Sequence, residues 1–278
     1  MNHTTMLSNL PLLIDFPEFI WLALLGGLLT TLATAPVGTI MLWRKMAYFG
    51  DALAHTSLLG FGLSIWLMIS STLTLGLVMI SIALLMVLLN RYRHVSFDLL
   101  LAIAAHSSLG IGMLIIALLP SARVDLMSYL FGDLLSLTWQ DIGTLSLVMV
   151  ISNGLLFYHW KGLVLASLNE DIAQLDGYAT QQLSLMLAVL IALVVAVSIQ
   201  LVGALLMTAL LITPAAIAMR WSKTPSSMLW LAVMIGQLAV MTGLALAWYL
   251  DTPIAPAIVA ILFTSFVISR LPLVIMKK

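Results

Sequence analysis

Nine apolar stretches dominate the chain, at 19–42, 48–70, 72–90, 97–118, 139–158, 181–199, 201–219, 227–249 and 254–275. Most run to about 20 residues, which at 1.5 Å per residue crosses some 30 Å of hydrocarbon. The pattern predicts an all-α, polytopic membrane bundle of about nine transmembrane helices, with 1–278 as a single transmembrane domain. Its weakest boundary is 199–201, where two spans meet with almost no loop. Residues 1–17 are polar or mixed, with Asn2, His3, Pro11, Asp15 and Pro17. They carry neither the basic run nor the small-residue cleavage site of a signal peptide, so no processing is expected.

Two connections are too long to be turns. In 119–138 the second half is apolar but too short to span, which predicts a re-entrant or interfacial helix; such backbone needs protein or a water-filled cavity around it. The other, 159–180, holds Glu170, Asp171 and Asp176. It is helix-compatible over 168–176, with Gly177 as a stop signal. A docking element and a plain solvated surface helix both fit that pattern.

Composition confirms the solvent. Hydrophobic residues are 63% of the chain, charged residues 8%, and the mean hydropathy is +1.17. A water-facing surface needs about a quarter charged residues, so this chain is solvated by lipid. The net charge is zero and the 11 Lys and Arg are scattered, leaving no basic patch for nucleic acid. With no cysteine, disulfides, Fe–S clusters and thiolate metal sites are excluded. Neither a G-x-x-x-x-G-K-[ST] phosphate loop nor an H-E-x-x-H helix occurs. No ATP-hydrolysis or zinc-hydrolase chemistry is therefore expected of this chain, and any ATP-driven transport through it would need an ATPase on another chain.

The basic residues set an orientation. With nine spans and the N-terminus outside, one face receives Arg44, Lys45, Arg91, Arg93, Lys161, Arg220, Lys223, Arg270, Lys277 and Lys278, and the other only Arg123. That bias predicts a cytoplasmic C-terminus, a periplasmic 1–17, an outer 119–138 and an inner 159–180. An eight-span arrangement would merge or drop a stretch and put basic loops on both sides.

Ionisable residues carry the information in lipid, since a charge at mid-membrane costs at least ~2.5 kcal/mol. The candidates are Asp51, His55, Asp98, His106 and Asp133. Asp51 and His55, four apart, share one helix face. Counted from Met46, His55 lies roughly 13 Å deep; counted from Ser96, His106 lies about 15 Å deep. An acid and two imidazoles in one layer suit Zn²⁺ well, and Mn²⁺ or Fe²⁺ acceptably. One Asp51–His55 pair offers two ligands, whereas two copies across a twofold axis would offer Asp2His2. The bland readings stand beside these. The pair could be a couple holding two helices together, and His106 a satisfied core histidine. Asp98 could pair locally with Arg91, Arg93 or His94, while Asp133 could line an entrance or cap a short helix.

Small residues at Gly26-Gly27, Gly60-Phe61-Gly62 and Gly110-Ile111-Gly112 permit close helix contact. Val202-Gly203-Ala204 and Thr213-Pro214-Ala215-Ala216 are expected to loosen the seventh span, and Pro36 to kink the first.

Three segments together resemble the metal-ion ABC permeases of the ABC-3 family: Met46-Ala47-Tyr48-Phe49-Gly50-Asp51-Ala52-Leu53-Ala54-His55-Thr56-Ser57-Leu58-Leu59-Gly60; Arg123 to Leu135, with Tyr129-Leu130-Phe131-Gly132-Asp133; and Val202-Gly203-Ala204-Leu205-Leu206 through Thr213-Pro214-Ala215-Ala216. The resemblance covers essentially the whole chain and leans towards the zinc-uptake permeases of Gram-negative bacteria. It implies a homodimer in the bacterial inner membrane with a fold like that of the vitamin B12 importer. It also implies two cytoplasmic ATP-binding subunits, a periplasmic metal-binding protein, zinc as transported substrate, and no permanently bound cofactor. By the same resemblance 168–177, with Glu170, Asp171, Asp176 and Gly177, is the coupling helix, and Asp51 and His55 contact the metal. A manganese or iron permease of the family, or a stand-alone proton-coupled carrier using Asp51, His55 and His106 as a relay, are the alternatives.

Overall fold

The computed structural model describes residues 17–90, 96–119 and 131–271. Within the described residues lie α1 (Glu18–Trp43), α2 (Ala47–Leu67), α3 (Ser71–Leu89), α4 (Phe97–Ala117), α5 (Trp139–Tyr158), α6 (Trp160–Leu168), α7 (Glu170–Leu175), α8 (Thr180–Trp221), α9 (Pro225–Leu250) and α10 (Ile254–Arg270), with a 3₁₀ turn at Leu134–Ser136. By length and composition six of them, α1, α3, α4, α5, α8 and α9, could cross a membrane. Helix α2 falls outside that set because Asp51, His55 and its Ser and Thr residues lower its hydropathy, and α10 is a shorter apolar helix. The nine predicted stretches all fall on helices, the last as far as Arg270, and two of them share α8.

Helix α8 explains the missing loop. At 42 residues it would be about 63 Å long if straight, twice the hydrocarbon thickness. Its backbone leaves helical values at Gly203, with φ 81° and ψ 163°. The contacts show that the chain turns back there. Ser184 bonds Arg44, while Leu211 lies against Gly38. Residues 184 and 211 would be about 40 Å apart on a straight helix, yet residues 38 and 44 lie only about 9 Å apart along α1. A side chain is strained at that backbone conformation, and glycine is not. The prolines do not end their helices: α1 runs on through Pro36 and α8 through Pro214.

Helices α1 and α8 form the centre, each with two-thirds of its most apolar window buried, against 28% for α3, α4 and α5. Lipid offers no hydrophobic drive between helices, so close backbone approach has to hold them. A Cβ on Gly38 would stand 2.9 Å from the Leu211 carbonyl carbon, and closer still to its oxygen. One on Gly112 would stand 2.6 Å from the Leu59 nitrogen, locking α4 to α2, while Gly27 makes room for the Val240 side chain of α9. Buried polar side chains bond within the bundle: Thr30, Thr31, Thr34 and Thr39 each donate to the carbonyl four residues back. Asn153 of α5 donates to the Leu32 carbonyl. Trp66, Trp139, Trp248 and Tyr249 are exposed at helix ends on one side, Tyr158 and Trp221 on the other, as in the aromatic belts of membrane proteins.

The expected interfacial helix within 119–138 falls partly on 120–130, and the 1–17 segment on 1–16, outside the described residues. What is described of the former, 131–138, contains the 3₁₀ turn. The 159–180 connection is more helical than its polarity suggests, because α6 precedes α7. Gly162 of α6 packs on Tyr178 and Leu183, so tertiary contact fixes this turn of helix.

Candidate functional site

Helix α2 starts from a tight corner in which Lys45 takes left-handed φ 57°. One face of α2 is clamped: Phe49 stacks on Phe97 of α4 with centroids 6.0 Å apart, and Gly50 admits the Leu211 side chain of α8. Among the described residues the opposite stripe is left largely uncovered, with Tyr48 and Asp51 exposed and His55 half-buried. The Asp51 and His55 side chains are 54% and 43% exposed, and Asp51 Oδ2 lies 3.7 Å from His55 Nε2. Spacing thus placed the two on one face, and packing leaves that face open. The separation is beyond hydrogen-bond reach, so neither side chain is locked by the other.

His106 sits on the exposed side of α4, with Nδ1 bonded at 2.8 Å to the Ala102 carbonyl. A carbonyl accepts only from an N–H, so Nδ1 is the donor in this bond. Among the described residues, no three His, Asp or Glu side chains group closely enough to hold a metal ion, so His106 does not complete a triplet with Asp51 and His55 inside one chain. Asp98 is exposed in the first turn of α4, where Ser96 caps the helix and a negative charge suits the N-terminus. Its suggested partners Arg91, Arg93 and His94 lie outside the described residues.

Asp133 is exposed just before the 3₁₀ turn, its carbonyl accepting from the Ser136 backbone and hydroxyl. Beside it Gly132, at φ 65°, presses on the α8 corner: a Cβ there would stand 2.8 Å from the Val202 oxygen and nearer still to the following peptide. Two segments more than 60 residues apart in sequence therefore meet at the end of the bundle opposite the basic residues.

At the basic end, Glu170 and Asp171 open α7 and Asn169 caps it, accepting from the Asp171 and Ile172 backbones. Asp176 and Gly177 close it, Gly177 with φ 86°. Gln174 donates to Thr180 and the Tyr178 N–H to the Ala173 carbonyl, fastening α7 to the start of α8. Leu168, Ile172 and Leu175 are exposed, Leu175 at 87%, on what composition marks as a polar connection. Sequence reasoning missed them, although their apolar character within an acidic segment is a legible signal. A cavity of about 630 Å³ opens beside α7, lined by Asn90, Ser96, Glu170, Gln174, Gln181 and Ser184 among others.

Known proteins resemble this chain in sequence and fold. The model of the ABC 3 transport family matches residues 17–272. The high-affinity zinc uptake system membrane protein ZnuB of Haemophilus influenzae is 39% identical over 91% of this chain and 97% of its own length. Its namesake from Buchnera aphidicola is 38% identical over 87% and 93%. Among solved structures, PsaBC from Streptococcus pneumoniae in complex with Fab superposes with a TM-score of 0.80 at 27% identity, covering 92% of this chain and 91% of that one. Matched nearly end to end in both sequence and fold, this membrane-helical chain belongs to the ABC 3 transport family.

Proposed function

We propose that the chain is the pathway-forming permease of an ATP-driven importer of divalent metal, with zinc as its substrate. Two copies work together in the bacterial inner membrane, with two cytoplasmic ATPase subunits and a periplasmic metal-binding protein. The observation that carries the reading is the open Tyr48–Asp51–His55 stripe on a helix inside a membrane bundle. An acid and an imidazole exposed on a membrane helix cannot be left to lipid, so a water-filled path or a second copy must lie over them.

The chemistry suits a passing cation. Two copies across a twofold axis bring two carboxylates and two imidazoles, a complete tetrahedral oxygen and nitrogen set. Two carboxylates also neutralise a divalent charge, which lowers the cost of taking it out of water. A pair that is loose in each chain binds weakly enough to release its ion, as transport requires. Relatives named for zinc uptake at 39% and 38% identity support zinc over manganese or iron. The basic end, with Arg44, Lys161, Arg220, Lys223 and Arg270, is then cytoplasmic, and Asp133 faces the entrance. Exposed Leu168, Ile172 and Leu175, flanked by Glu170, Asp171 and Asp176, support a docked ATPase over a merely solvated helix.

Proteoliposome uptake tests this. Zinc should accumulate only with the ATPase, ATP and the binding protein present, and ahead of Mn²⁺ and Fe²⁺ in direct competition. Accumulation by this chain alone in a pH gradient would refute the ATP-driven reading, and preference for Mn²⁺ or Fe²⁺ would refute zinc.

A further inference from the structure

One cation at the basic end is not accounted for by orientation alone. Arg44 follows α1, one residue before the left-handed Lys45 and seven before Asp51. Its side chain turns back into protein: Nη1 donates to Ser184 Oγ of α8 at 2.8 Å, while Nη2 is buried without a hydrogen-bond partner. A guanidinium that only marked the cytoplasmic side would reach to water or lipid phosphate with all its donors. Among the described residues no carboxylate lies within salt-bridge distance of it. The acid that acts on it electrostatically is Glu170, the first residue of α7: burial pushes the Arg44 pKa down and the Glu170 carboxylate works against that shift. Glu170 and Ser184 both line the cavity beside α7, so there is open space next to both the partner Arg44 has and the charge that attracts it.

These contacts form one chain of attachment. Helix α7 is fastened to Thr180 through Gln174, Ser184 donates to the Thr180 carbonyl one turn on, and Arg44 donates to Ser184. From Arg44 the backbone passes the Lys45 corner into α2, where Asp51 lies about 6 Å beyond the first residue of the helix. We propose that Arg44 is a positioning residue that ties α7 to the start of α2, so that displacement of α7 by its partner moves the Asp51–His55 pair. In that displacement the unpaired Nη2 takes Glu170 while Nη1 holds α8. The role rests on the reading above that α7 carries the ATPase.

The test uses the complete complex in proteoliposomes, with metal uptake, ATP hydrolysis and ATPase co-purification each measured. Arg44→Gln should retain the bound ATPase and hydrolysis within about twofold, while metal moved per ATP falls about tenfold. Arg44→Lys, which keeps the charge but lacks the planar fork whose two ends reach Ser184 and Glu170 separately, should recover only part of that loss. Glu170→Gln should lower the same ratio, and the double reversal Arg44→Glu with Glu170→Arg should exceed either single reversal. A merely structural Arg44 would lower uptake and hydrolysis together and gain nothing from charge reversal. An unchanged ratio in Arg44→Gln, or a double reversal no better than its worse single, overturns the proposal. Should Arg44→Gln fail to assemble, Glu170→Gln carries the test, and a normal ratio there overturns it. Loss of α7 as the ATPase seat is a separate failure, read from co-purification after deleting 169–176: an ATPase that still binds sinks that reading itself.

Discussion

Replacing Asp51 by Asn and His55 by Ala separates a transport pair from a structural one. If the two were a desolvated couple holding helices together, removing either partner would cost about 3–5 kcal/mol. The geometry predicts far less. The side chains are about half exposed and 3.7 Å apart, and unit charges at that distance in a water-like medium interact by only about 1 kcal/mol. Exposed pairs measured in other proteins fall at about 0–1 kcal/mol. Both variants should therefore assemble normally, with a melting temperature in detergent within about 5 °C of the parent. Transport should behave differently. Removing a group that merely orients a metal ligand costs about 10–100-fold, so removing a ligand should cost at least the upper end of that range. Zinc uptake by the complete complex should fall at least about 100-fold in each variant, with the ATPase still bound. Parent-like uptake in both variants removes the pair from the pathway, and loss of assembly in either returns it to a structural role.

Three further perturbations test the scaffold. Gly38→Ala pushes a methyl into the Leu211 backbone of α8, where neither side can yield; it should cost several kcal/mol, read as loss of folded yield and of melting temperature. Gly132→Ala combines a left-handed φ, costing about 1–2 kcal/mol, with collision against the Val202–Gly203 peptide. It should loosen the 131–138 segment without unfolding the bundle; a cysteine placed at Ser136 should then label faster, with no native cysteine to confuse the signal. Gly177→Pro cannot adopt φ 86° and should misplace α7, abolishing ATPase co-purification while the membrane helices stay folded.

Much of the bundle was legible because lipid imposes length and polarity together: a run such as 72–90 has little else to become than α3. The abrupt join at 199–201 was legible only as an oddity. The fold resolves it with one residue, Gly203, whose backbone conformation no pattern of polarity encodes. Helix α6 was missed because its hold is tertiary, through Gly162 on Tyr178 and Leu183. His106 shows the limit of counting residues: depth along α4 put it level with His55, but depth says nothing of azimuth, and its ring faces out beside the Ala102 carbonyl. Arg44 was counted only as an orientation signal, and nothing local reveals that Ser184, 140 residues on, closes over it.

The way the bundle treats its other polar side chains argues that Asp51 and His55 are not there for the fold. Where α1 needs threonine in its interior, each hydroxyl at 30, 31, 34 and 39 is fully buried and returned to a carbonyl of the same helix, and Thr56 of α2 is treated likewise. That is how a membrane protein keeps a polar group cheaply. On the same helix, five residues and one residue before Thr56, the rule is broken: the Asp51 carboxylate and the His55 imidazole are left about half exposed and short of a hydrogen bond to each other. Selection for stability alone would have closed that contact or made both residues apolar, since a hydrophobic pair of similar size costs nothing to desolvate. A carboxylate oxygen and an imidazole nitrogen left 3.7 Å apart and about half exposed suit a passing cation better than a structural tie, which is the distinction Asp51→Asn and His55→Ala test.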